Sequence, residues 1–100
     1  MIVNEYLPGQ GIAAHVDNPR MFGDKVVSVS LGSAVVMQFR AADAVIDVVL
    51  PRRSAVVLTG PARYAWSHSI AARKTDMLDG RRVARGTRVS LTFRDMASSK

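Results

Sequence analysis

Apolar residues in this 100-residue chain come in short runs, several alternating with polar ones at a period of two. Gly or Pro closes many of these runs. A period of two is the signature of strands, because successive side chains point to opposite faces. The pattern predicts strands over 2–7, 11–17, 25–31, 34–40, 44–50, 54–59, 63–70 and 87–93. In the third, Val27, Val29 and Leu31 alternate with Ser28 and Ser30. Gly32-Ser33 reads as a tight turn, so the third and fourth strands are expected to form a hairpin. Residues 71–85 are polar and contain Gly80, and they read as a loop. Short strands with Gly and Pro between them imply an all-β sandwich or barrel. One domain over 1–96 is expected, with 97–100 as a frayed tail.

Composition narrows the picture. Apolar residues make up 48% of the chain, enough for a core, while aromatics are only 6%. Val, Ala, Leu and Ile must therefore do most of the packing. There is no cysteine, which excludes a disulfide scaffold and zinc–thiolate sites and fits a reducing compartment. No run reaches the roughly 18 apolar residues of a membrane helix, and no secretory signal is visible. A soluble cytoplasmic protein is expected.

The net charge is +6. Basic residues gather at Arg52-Arg53, Arg73-Lys74, Arg81-Arg82, Arg85 and Arg88. A basic second half suits an anionic partner such as nucleic acid. Solvated surface explains any single pair at least as well. The same two readings apply to Arg63, Arg73 and Lys74, either phosphate contacts or plain surface charge.

Candidate chemistry begins with the chain's two histidines, His15 and His68. His15 lies two residues before Asp17, so in a strand both side chains reach the same side. Two imidazoles and one carboxylate form the facial triad that holds non-haem Fe(II) and leaves positions open. A lone H-x-D motif arises often by chance, so the rest of the chain has to support it.

Residues 88–94 supply that support. Arg88, Ser90, Thr92 and Arg94 share one strand face, and Val89, Leu91 and Phe93 share the other. A half-exposed strand accounts for this pattern. Two same-facing guanidiniums are also a natural clamp for a dicarboxylate.

Together these blocks resemble the AlkB family of 2-oxoglutarate/Fe(II) dioxygenases. Asn4-Glu5-Tyr6-Leu7-Pro8-Gly9, leading into His15-Val16-Asp17, is similar to the family's N-x-Y-x-P-G…H-x-D block. Arg88-Val89-Ser90-Leu91-Thr92-Phe93-Arg94 resembles its R-x-N/S-x-T-F-R signature. Segments around Ser28-Val29-Ser30, Pro51-Arg52-Arg53-Ser54 and Arg63-Tyr64-Ala65-Trp66-Ser67-His68 look like family motifs in family order. The last two are most like the branch containing the tRNA wobble-uridine hydroxylase.

The resemblance implies a double-stranded β-helix (jelly-roll) core. It implies His15, Asp17 and His68 as iron ligands, with Asn4, Tyr6, Arg88, Ser90 and Arg94 holding 2-oxoglutarate. Arg88 and Tyr6 match residues on the distal carboxylate, and Arg94 and Asn4 match residues at the iron-chelating end. Ser90 stands where the bacterial prototype has Asn. The implied reaction uses O2, releases succinate and CO2, and hydroxylates a C–H bond. An N-methyl group so treated leaves as formaldehyde. Modified bases in DNA or RNA are the substrates the family points to, with a base extruded into the pocket.

Family members also carry N-terminal strands and a nucleotide-recognition lid. The chain begins almost on the Asn4-x-Tyr6 motif, so it is expected to be the C-terminal catalytic part. Exposed sheet edges and self-association are expected to follow. The same chemistry on a protein or small molecule, or a catalytically inactive remnant, remains an alternative. Trp66 either lines the substrate pocket or packs.

Overall fold

A computed structural model describes residues 1–18 and 22–96; the expected tail at 97–100 lies outside the described residues. Two four-stranded antiparallel sheets face one another. The first has the order β1 (Ile2–Tyr6), β10 (Arg88–Met96), β3 (Phe22–Gly32), β6 (Ser54–Leu58). The second has the order β2 (Ile12–His15), β7 (Ser67–Ile70), β4 (Val35–Ala41), β5 (Ala44–Leu50). Consecutive strands mostly alternate between the sheets, which makes the fold an all-β jelly roll, as expected.

The expected hairpin of the third and fourth strands does not form. β3 pairs with β10 and β6, while β4 pairs with β5 and β7. Gly32 carries the chain across, with a φ of 79°, and a Cβ there would stand 2.4 Å from the Thr87 carbonyl oxygen. Only glycine tolerates both conditions. Ser33 N–H then donates to that same carbonyl at 2.9 Å, and the Ser33 hydroxyl accepts from Gly86 N–H at 2.9 Å. The crossing is thus tied to the entry of β10. The true neighbouring hairpin is β4–β5, which turns at Ala42-Asp43.

Two other expectations need correction. Residues 63–70 are not one strand: Gly60–Tyr64 forms a short helix, α1, and β7 begins only at Ser67. Pro61 opens that helix with its preset φ, and this outweighs the weak alternation that follows. Residues 71–85 are not a loop. They contain a second hairpin, β8 (Thr75–Leu78) and β9 (Arg81–Ala84), turning at Asp79-Gly80.

The core sits between the sheets. Val35, Met37, Phe39, Leu50 and Ile70 from the second sheet meet Val26 and Leu58 from the first. Beside Val26 and Leu58, the first sheet is built differently. Its inner face there carries Asn4 and Tyr6 of β1, Ser28 and Ser30 of β3, and Arg88, Ser90, Thr92 and Arg94 of β10, in register. Its outer face carries Val3, Val27, Val29, Leu31, Val57, Val89, Leu91 and Phe93. The polar side of β10 therefore points inward, the reverse of an ordinary half-exposed strand.

Arg85 and Asp76 anchor the β8–β9 hairpin to the sandwich. Arg85 grips both Asp76 oxygens at 2.7 and 2.9 Å and donates to the Ala71 carbonyl at 2.7 Å. Arg73 and the Val36 amide complete the carboxylate's partners. Arg85 is therefore buried structure and not a surface cation. Burial alone would raise the Asp76 pKa; the Arg85 and Arg73 bonds and the Val36 amide more than offset it and hold the carboxyl below its ordinary range. Removing one partner of a buried pair strands the other. Asp76→Ala should therefore cost about 3–5 kcal/mol, read from urea midpoints. The sign in pH follows from the lowered value. The pair's contribution is full above the ordinary carboxylate range and is lost as pH falls below that range, through the lowered value of the folded state. Wild type should lose stability in acid more steeply than Asp76→Asn.

Candidate metal centre

The three sequence-expected ligands meet at one point. His15 ends β2 and lies opposite His68 of β7 in the ladder. Asp17 follows two residues after His15, just beyond the strand. One ligand atom from each lies within 4.8 Å of the others. The Asp17 Oδ1 atom faces Nε2 of His15 at 3.2 Å and Nε2 of His68 at 3.7 Å. The second carboxylate oxygen, Oδ2, accepts a hydrogen bond from Arg94 Nε. One oxygen is thus turned to the imidazoles and the other to a guanidinium.

The protonation states suit metal ligation. His15 Nδ1 lies 2.9 Å from the Ala13 carbonyl oxygen, to which it donates, so Nε2 is the ring nitrogen turned to the triad. Burial would raise the Asp17 pKa, but the hydrogen bond from Arg94 and its charge outweigh it and keep the carboxyl ionised. For His68, burial and the nearby Arg94 and Arg63 cations lower the pKa against the pull of Asp17. Its imidazole is therefore held neutral, the form that ligates. The His68 side chain is 12% exposed and that of His15 is 42% exposed, so the centre opens on the His15 side.

A cavity of about 220 Å³ adjoins the triad. Asn4, Tyr6, Ser90 and Arg94 all line it, along with Ser28 and Thr92. Arg88 does not line this cavity; it lies beyond Tyr6 and lines a separate void of about 10 Å³ that shares Tyr6 and Ile12 with it. The Arg88 guanidinium is 5.4 Å from the Tyr6 ring centre and donates to the Ser30 hydroxyl at 3.1 Å. Its Nε and Nη1 are buried with no hydrogen-bond partner. Burial pulls its pKa down, but a guanidinium stays charged at neutral pH. A buried cation with two idle donors is costly unless an anion completes it. The residues therefore fit a carboxylate ligand as well as a metal ion.

Several basic residues stand elsewhere than expected. Arg63 is 2% exposed and bonds only to backbone carbonyls, so it is neither surface charge nor a phosphate contact. Arg73 is exposed and paired with Asp76. Trp66 packs against the core and lines an apolar groove with Phe39, Val56 and Ala62, outside the triad's cavity. Ser30 is the residue that sequence reasoning missed. Its inward position opposite Ser90 in the ladder was available only once β3 and β10 were paired.

A jelly roll with a two-imidazole, one-carboxylate cluster between its sheets defines a metal-dependent protein of the facial-triad class. Residues 1–94 match the model of the 2OG-Fe(II) oxygenase superfamily, and the chain belongs to that superfamily. The family implies Fe(II), 2-oxoglutarate and O2, in agreement with the donor set. The chain is 42% identical over its full length to the mouse (Mus musculus) tRNA (carboxymethyluridine(34)-5-O)-methyltransferase ALKBH8, of which it spans 15%. It is 36% identical to protein L905 of Acanthamoeba polyphaga mimivirus, of which it spans 49%. It is 34% identical over 94% of its length to the alkylated DNA repair protein ALKBH8 homolog of Arabidopsis thaliana, of which it spans 33%. The AlkB resemblance drawn from the motifs holds.

The idle donors on Arg88 generate a direct test. 2-Oxoglutarate with Mn(II) should raise the melting temperature of the wild type by linkage. Arg88→Met should melt at or above the unliganded wild type, since the buried charge is gone, and should lose the rise with 2-oxoglutarate.

Proposed function

We propose that this chain is the catalytic core of an AlkB-like dioxygenase that oxidises modified bases in nucleic acid. The observation that carries the proposal is the pairing, on one inner face, of a triad with its donor atoms within 4.8 Å and a buried guanidinium with unpartnered donors. One part suits a metal and the other a dicarboxylate. The core spans 1–96 in this reading.

The proposed roles follow from position. His15, Asp17 and His68 would hold Fe(II). Arg88, supported by Ser30 and Tyr6, would take the distal carboxylate of 2-oxoglutarate through its free donors. Asn4, Ser90 and Arg94 line the space between and would orient the rest of the cosubstrate. Arg94 has a second task, since its bond to Oδ2 aims the other Asp17 oxygen at the imidazoles. When bound, iron and 2-oxoglutarate supply the oxidising power for C–H hydroxylation, with O2 consumed and succinate and CO2 released. The protein contributes binding, orientation and an enclosed site. On an N-methyl group the hydroxylated product releases formaldehyde, whereas on a carbon-linked group the alcohol remains.

Nucleic acid is favoured as substrate by the charge of +6 and by similarity to proteins named for tRNA and alkylated DNA. No helix among the described residues is long and apolar enough to cross a membrane. The cytoplasm is the compartment proposed, because Fe(II) persists under reducing conditions. Self-association belongs to the same reading. β1, β6, β2 and β5 are sheet edges, and Val3, Val57 and Phe93 are exposed on the outer face of the first sheet.

Succinate formation from Fe(II), 2-oxoglutarate and O2 tests the chemistry, and His68→Ala should abolish it and weaken metal binding. Formaldehyde release from methylated oligonucleotides, falling steeply with added salt, tests the substrate class. Turnover unaffected by His68→Ala would refute the assignment of the triad. Sedimentation should show mass rising with protein concentration; a monomer at all concentrations would remove the self-association.

A further inference from the structure

Arg63 is among the most deeply buried side chains described, and its bonds are all to one stretch of backbone. It donates to the Asp17 carbonyl at 2.7 Å and to Asn18 at 3.4 Å. It also donates to Gly23 at 3.0 Å and Phe22 at 3.4 Å. These carbonyls lie on both sides of the segment joining β2 to β3. Tyr64 stacks on the guanidinium at 4.7 Å. No carboxylate is paired with Arg63 among the described residues, so carbonyl dipoles and the face of the Tyr64 ring balance its charge. Burying a cation this way is expensive. Fold stability alone is a poor return for it, since an apolar side chain fills such a space more cheaply.

The location of those carbonyls supplies a reason. β2 ends at His15, so no strand ladder fixes the backbone of Asp17. Arg94 holds the Asp17 side chain, and its guanidinium sits 4.9 Å from the ring of Phe22, whose carbonyl Arg63 also engages. We propose that Arg63 is a positioning residue for the metal centre: its guanidinium fork staples both ends of the β2–β3 connection and fixes the backbone from which Asp17 reaches the metal. The inference rests on the triad reading proposed above. It needs a planar fork spanning several acceptors, which lysine cannot supply.

The test is Mn(II) titration of the metal-free chain, followed by the loss of the free-ion EPR signal, with melting curves recorded in parallel. Wild type and His68→Ala are titrated first. If His68→Ala binds as tightly as wild type, the triad reading fails, whatever Arg63 does. With that reading intact, Arg63→Met and Arg63→Lys should each weaken Mn(II) binding by about tenfold to a hundredfold, the range for outer-shell partners. Arg85→Lys is the control, a buried cation whose bonds go to Asp76, Ala71 and Gln10 and not to the 17–23 segment. It should melt earlier yet bind Mn(II) with near wild-type affinity once folded. Wild-type affinity in both Arg63 variants, or a loss no larger than that of Arg85→Lys, would overturn the proposal. So would Arg63 variants that stay unfolded at saturating Mn(II), since Arg63 would then serve the whole fold.

Discussion

A carboxylate buried between two sheets is the constraint around which this structure is arranged. The Asp17 side chain is 3% exposed, and burial by itself works against its ionisation. It stays ionised because Arg94 donates to it and sets a positive charge beside it. That requirement accounts for the inward-facing polar side of β10, which carries Arg94 into the interior. It also accounts for the division of the carboxylate, with one oxygen on the guanidinium and the other facing His15 and His68. A divalent cation would complete a site whose donors are already gathered.

The same constraint divides the interior into two parts. The second sheet, with Val26 and Leu58 of the first, packs Val, Leu, Ile, Met and Phe in the ordinary way. The rest of the first sheet's inner face is a polar floor of Ser28, Ser30, Ser90, Thr92, Arg88 and Arg94, with Arg94 directly beside Val26 in the ladder. A domain of this size has little apolar area to spare, and this one devotes part of its interior to a polar-floored cavity beside the triad. The apolar side chains displaced from the floor appear on the opposite face of the first sheet.

Two buried arginines hold the parts that strand pairing does not reach. Arg85 ties the β8–β9 hairpin to the sandwich through a carboxylate. Arg63 ties the β2–β3 connection to α1 through carbonyls alone. Each replaces a missing ladder with a planar fork, and each bonds across a large sequence separation.

The chain by itself determined a good deal. The period-two alternation in 25–31 and 87–93 marked strands correctly, and so did the Pro8-Gly9 and Gly60-Pro61 stops. The H-x-D spacing, the distant His68 and the Arg88/Arg94 pair named the candidate site, because these patterns are local or rest on residue type. Tertiary structure decided which way the strands faced and which strands they paired with. Alternation says that Arg88 and Phe93 lie on opposite faces, yet it cannot say which face is inside. The Gly32-Ser33 turn looked like a hairpin until the Thr87 carbonyl required a crossing to the other sheet. Arg63 and Arg85 read as surface charge because an arginine's burial depends on acceptors that folding brings from elsewhere in the chain. Periodicity is a property of neighbours in sequence; facing and partnership belong to residues far apart, and only the packed sandwich brings them together.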